Sequence, residues 1–172
     1  MLNQTTLVQN KGMATKGNNA LNKGIPQLKD AFVVIVKTEW NAPIVNKLEA
    51  GAVKVLKQAG ISYKVLTVPG AIEIPFIIKQ YAESIQPPAD AFIALGTVIR
   101  GDTPHFDYVC KAITDGVLSL NMMLEVPTIF GVLTVNDEKQ AKERVGGKHG
   151  HKGEEAATTA IKMIELNRSL NK

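Results

Sequence analysis

The chain has 172 residues, 45% hydrophobic and 21% charged, the balance of a soluble globular protein with length for one domain and a sizeable core. Its longest apolar runs, "AFVVIV" and "AFIALG", are far too short to span a bilayer, and the single cysteine, Cys110, excludes an internal disulfide, which fits a reducing cytoplasm. The net charge of +4 does not point to nucleic acid: residues 1–29 hold four lysines (Lys11, Lys16, Lys23, Lys29) and no acid, leaving 16 basic against 16 acidic side chains elsewhere.

Residues 1–29 are rich in Asn, Gly, Thr and Lys without a sustained period, and read as a flexible N-terminal extension to one domain over 30–172. They lack the compact apolar stretch of a secretory signal. "AFVVIVK" (31–37) has the pattern of a strand buried on both faces. Residues 43–59 read as a helix, with Val45, Leu48, Ala52, Val55, Leu56 and Ala59 on one stripe and Gly60 as its stop. "SYKVLTV" (62–68) is a strand by its β-branched and aromatic content. "GAIEIPFIIKQYAESI" turns helical in its later part and ends before Pro87. "AFIALGTVI" (91–99) is a third buried strand. A helix over 104–124 carries Val109, Ile113, Val117, Leu120 and Leu124, and "PTIFGVLTV" (127–135) is a fourth strand. Helical stretches at 137–145 and 153–169 follow, separated by a glycine-rich joint. Alternation of buried strands and helices predicts a three-layer, doubly wound α/β domain of flavodoxin-like kind, with a four-stranded parallel sheet.

In such sheets ligands bind beyond the carboxyl ends of the strands, and three corners fall there: "KTEWNAP", "VPGAIEIP" and "GTVIRGDTPH". At the third, Thr103 suits an N-cap and Pro104 the first helical position. Free backbone N–H groups beside Gly101 make an anion site, with Arg100 either adding charge or lying on the surface. His105 then sits at the positive end of the helix, which favours the neutral imidazole. It either bonds within the corner or moves protons beside a bound phosphate, a contribution of roughly 10²- to 10⁴-fold in rate. Trp40, the only tryptophan, is either core or an exposed ring that stacks on a flat heterocycle, with Thr38 and Asn41 supplying hydrogen bonds. Glu73 either complements a helix dipole or accepts hydrogen bonds from a polyol. His149 and His151 in "HGHKG" have no acidic or thiol companions, and the segment reads as a solvated joint rather than a metal site. Cys110 reads as a packed thiol.

"VPGAIEIP", "ALGTVIRGDTPHFDYV", "GVLTV" and "GGKHGHKGEEAA", in this order and spacing, resemble the lumazine synthase family from about residue 30 to the C-terminus. The resemblance implies condensation of 5-amino-6-(ribitylamino)uracil with 3,4-dihydroxy-2-butanone 4-phosphate to 6,7-dimethyl-8-ribityllumazine, phosphate and water, with no metal or organic cofactor. It implies that Trp40 stacks on the pyrimidine beside Asn41, that Ala71, Ile72 and Glu73 hold the ribityl chain, and that Thr97, Val98 and Ile99 line the pyrimidine pocket. Asp102 and Thr103 match the phosphate-binding turn, Arg144 its cationic partner, and His105 the proton-transfer residue. Phe130, Arg144 and Lys152 match positions contributed by a neighbouring subunit. The family forms pentamers or sixty-subunit icosahedral shells, and Gly146–Gly150 match the shell-forming members. Riboflavin synthase is a further partner the resemblance suggests; a membrane or nucleic acid is not. A carrier that binds lumazine or flavin without making it is the rival reading.

Overall fold

A computed structural model describes residues 24–84 and 86–171. Most of the predicted extension, residues 1–23, lies outside the described residues. Ile25 and Leu28 pack against the core, and the Leu28 amide donates to the Ala59 carbonyl (3.2 Å).

The elements run in chain order as β1 (Phe32–Thr38), α1 (Ala42–Gln58), β2 (Ser62–Val68), a 3-10 turn (Ala71–Glu73), α2 (Ile74–Ala82), β3 (Ala91–Ile99), α3 (His105–Met123), β4 (Thr128–Val135), α4 (Glu138–Lys142), β5 (Val145–Gly147), β6 (Gly150–His151) and α5 (Lys152–Leu170). β1 to β4 form one parallel sheet, as the alternation of elements predicts, in the order β2-β1-β3-β4. The order reverses between β1 and β3, the position at which doubly wound sheets open a crevice.

Side chains alternate along the central strands and feed two separate cores. Val33 and Ile35 of β1 and Ile93 and Leu95 of β3 meet Leu48, Ala52 and Leu56 of α1 and Ala157, Ile161 and Ile164 of α5. Val34, Val36, Phe92 and Ala94 point to the opposite face, against Ile74 and Ile78 of α2 and Val109, Ile113 and Leu120 of α3. Each fully buried Leu or Ile is worth about 1.5–3 kcal/mol relative to exposure. α1 and α5 approach so closely that a β-carbon at Gly153 would overlap the Leu48 carbonyl.

The joint before α5 differs from its sequence reading. "GGKHGHKG" is not a solvated link: β5 and β6 pair as an antiparallel hairpin, and His151 is half-buried. The ring occupies space that glycine leaves open at position 51 of α1, and its Nδ1 accepts from the Glu154 amide (3.4 Å), capping α5. Residues 24–171 contain no helix long and apolar enough to cross a membrane among those described.

Candidate active site

A cavity of about 360 Å³ opens beyond the carboxyl ends of β1 and β3, and all three corners singled out from sequence contribute to it. From the first corner, Trp40 is 68% exposed, so its ring belongs to the rim and not to the core. Its backbone is fixed on both sides: the amide donates to the Pro69 carbonyl (3.2 Å), and Thr38 Oγ1 donates to the Trp40 carbonyl (3.1 Å). Asn41 adopts a left-handed conformation (φ 60°, ψ 34°), the one non-glycine residue to do so among those described. Its Nδ2 donates to the Thr97 carbonyl (2.7 Å), tying the end of β1 to that of β3.

The second corner supplies the wall beside the indole. A β-carbon at Gly70 would stand 3.2 Å from Cε3 and Cζ3 of Trp40 and 2.9 Å from Oε2 of Glu73. Ring and carboxylate therefore converge over bare backbone. Ala71 is buried beneath them, while Ile72 and Glu73 are exposed to the cavity.

From the third corner come Thr97, Val98 and Ile99, followed by Gly101, Thr103, His105, Phe106 and Val109. Thr97 is buried, and its Oγ1 has no hydrogen-bond partner among the described residues. Thr103 is not the N-cap that its sequence position suggests. α3 begins at His105, with Pro104 already helical (φ −61°, ψ −7°) directly before it, and among the described residues no side chain makes a cap hydrogen bond. Among the described residues, the amides of Gly101, Asp102 and Thr103 find no acceptor. A helix start with free amides attracts an anion. His105 is exposed at the head of α3 and lines the cavity; Asp102 is exposed on the turn and does not line it. The Arg100 guanidinium is held elsewhere, on Asp107 and Asn136. Partial burial, with the Asp107 carboxylate nearby, raises the Cys110 thiol above its usual range despite Arg100, in keeping with a packed, unreactive thiol.

Phe130, Arg144 and Lys152 do not line this cavity. Phe130 of β4, 41% exposed, and Lys152 at the head of α5 line a second cavity of about 350 Å³. Lys152 Nζ pairs with Glu155 Oε2 at 2.7 Å. Arg144 follows α4, with Nη1 donating to the Gln140 carbonyl (2.8 Å) and its own carbonyl accepting from the Lys152 amide (2.8 Å). Arg144 lines neither cavity, and a single chain does not bring Phe130, Arg144 or Lys152 to the cavity of Trp40 and His105. Phe106 and Val109 complete the first cavity; the sequence reading placed Val109 on the buried stripe of the helix and did not single out Phe106.

A crevice at the switch point of a doubly wound sheet, with a flat exposed indole on one side and free amides and an imidazole on the other, defines an α/β protein built to bind small molecules. The chain matches the family model described as 6,7-dimethyl-8-ribityllumazine synthase over residues 30–168. Relatives carrying that same description include proteins of Bacteroides fragilis (50% identical over 80% of this chain and 97% of the relative) and Porphyromonas gingivalis (46%, over 91% and 99%). A third, from Parabacteroides distasonis, is 44% identical over 83% of this chain and 90% of its own. The chain belongs to the 6,7-dimethyl-8-ribityllumazine synthase family, transferases of the penultimate step of riboflavin biosynthesis.

Proposed function

We propose that this chain condenses 5-amino-6-(ribitylamino)uracil with 3,4-dihydroxy-2-butanone 4-phosphate, and that its two cavities are the halves of sites shared by adjacent subunits. The observation that carries this reading is the first cavity itself, which pairs an exposed indole with an uncapped helix start bearing His105. Trp40 stacks on the pyrimidine next to Asn41. The backbone of Thr97, Val98 and Ile99 reads its edge, and Ala71, Ile72 and Glu73 hold the ribityl hydroxyls. Asp102 and Thr103 shape the turn whose amides bind the phosphate.

The reaction needs an amine to attack a ketone, water to leave, phosphate to be eliminated and a ring to close. His105 stands where protons move during these steps, beside the bound phosphate. Binding two substrates in one orientation supplies much of the remaining rate. Phe130, Arg144 and Lys152 face the neighbouring subunit's cavity, where Arg144 balances phosphate charge. Their separation from Trp40 and His105 within one chain supports sites at subunit boundaries, as in the pentamers of the family. The "GGKHG" joint supports assembly of pentamers into a sixty-subunit shell, with riboflavin synthase as a partner. Cytoplasmic location is supported by the lone cysteine, and an extension over 1–29 by the start of the family match at residue 30.

Turnover with the two substrates, following lumazine absorbance and phosphate release, tests the reading. Acceleration above the uncatalysed rate is expected. Tight lumazine binding by assembled protein without acceleration would favour a carrier.

A further inference from the structure

Arg100 lies between β3 and the phosphate-binding turn, outside the cavity wall, yet it is the most heavily engaged side chain near the turn. Its amide donates to the Val135 carbonyl (2.9 Å), continuing the pairing of β3 with β4. Its guanidinium forks onto Asp107, Nη2 to Oδ1 at 3.0 Å and Nη1 to Oδ2 at 3.4 Å, while Nε donates to Asn136 Oδ1 at 3.2 Å. Its Cζ stands 4.1 Å from the centre of the Phe106 ring, whose other contacts include the cavity.

The segment between these anchors has little else to hold it. Gly101, Asp102 and Thr103 keep their amides free, and the next backbone bond is Asp107 N–H to Pro104 carbonyl (2.9 Å). One side chain therefore spans from the residue before the turn to the first turn of α3, closing a ring around the free amides. An isolated exposed ion pair contributes little to stability. A fork to carboxylate, a stacked aromatic and a third acceptor on Asn136, just past β4, together fix a geometry that a point charge cannot.

We propose that Arg100 is a positioning residue: through Asp107, Phe106 and Asn136 it holds the 101–104 turn and His105 in register for a phosphate ester, without touching substrate. This rests on the reading of that turn as the phosphate site.

Two measurements test it on the assembled protein: inorganic phosphate affinity by calorimetry, and kinetics with both substrates, for wild type, Arg100→Gln, Arg100→Lys, Asp107→Asn and the Arg100→Gln/Asp107→Asn double variant. Both Arg100→Gln and Asp107→Asn should weaken phosphate binding and raise KM for the phosphate substrate about tenfold, with pyrimidine KM within about twofold. The double variant should be no worse than either single, because one bridge is lost in all three. Arg100→Lys should not rescue, and melting temperatures should stay near wild type. Rescue by lysine would show that charge alone acts and overturn the assignment. So would additive losses, unchanged phosphate affinity, or a general rise of both KM values with lowered melting. Wild-type protein that binds phosphate, loses it in the variants, yet makes no lumazine would overturn the enzyme reading and uphold the role of Arg100.

Discussion

The imidazole of His151 fills the space above Gly51: a β-carbon on that glycine would stand 2.5 Å from Nδ1 and 2.7 Å from Nε2. The ring is a packing element between α1 and the β5–β6 hairpin as well as the cap of α5. Burial lowers its pKa below the usual 6.5, with Lys54 acting in the same direction and Glu154, the His151 backbone and Glu155 opposing. The unfolded chain thus takes up the proton first as pH falls, and stability is lost from about 6.5 downward until the folded imidazole also titrates. Asp30, whose carboxyl the Arg168 guanidinium holds below 3.8, loses its contribution only in a more acidic range. His151→Asn keeps a capping oxygen that does not titrate, so its melting temperature should change less between pH 7 and pH 5 than that of wild type. Identical pH profiles would remove His151 from this role. Gly51→Ala should destabilise at every pH, because its methyl group displaces the ring that packs on α1 and caps α5.

Gly70→Ala reports on the indole. The residue has an ordinary extended backbone (φ −139°), so alanine brings no strain of its own. Its methyl group must displace the Glu73 carboxylate or tilt Trp40. The expected result is a several-fold higher KM for the pyrimidine substrate with a near-normal melting temperature. Because Trp40 is the only tryptophan, its emission should shift in the same variant. An unchanged spectrum with unchanged KM would mean that the ring does not rest on this backbone.

His105→Ala should lower kcat by roughly 10²- to 10⁴-fold and leave turnover measurable, since orientation of two substrates survives the loss of a proton carrier. A folded, assembled variant no faster than buffer would assign His105 more than proton transfer.

Arg144→Ala should raise KM for the phosphate substrate while leaving KM for the pyrimidine near wild type. The side chain bonds to the preceding helix, α4, through one nitrogen, which leaves the rest of the fork for an anion. An unchanged KM would exclude it as the phosphate's cationic partner.

The sheet was legible because its signals are local and repeated. β3 agrees with its predicted range at both ends, since a continuous apolar run stops at Arg100. The hairpin of β5 and β6 was not, because strands of three and two residues carry no alternation, and Gly146 (φ 108°) and Gly150 (φ 79°) look like any loop. His151 was misread for a related reason: the glycine that accommodates it lies 100 positions earlier, on another helix. At the site, Trp40 and His105 stood out as rare residues at strand-to-helix corners. Phe106 did not, because a helix's buried stripe says nothing about the side chain turned toward a cavity.

The separation of the Trp40 half-site from the Phe130 half-site has a genetic consequence under the shared arrangement proposed above. A chain damaged at His105 still offers its neighbour a sound Phe130, Arg144 and Lys152, and a chain damaged at Arg144 still offers a sound His105. Two alleles, each impaired alone, would then complement when co-expressed, because mixed assemblies contain some boundaries at which both intact halves meet.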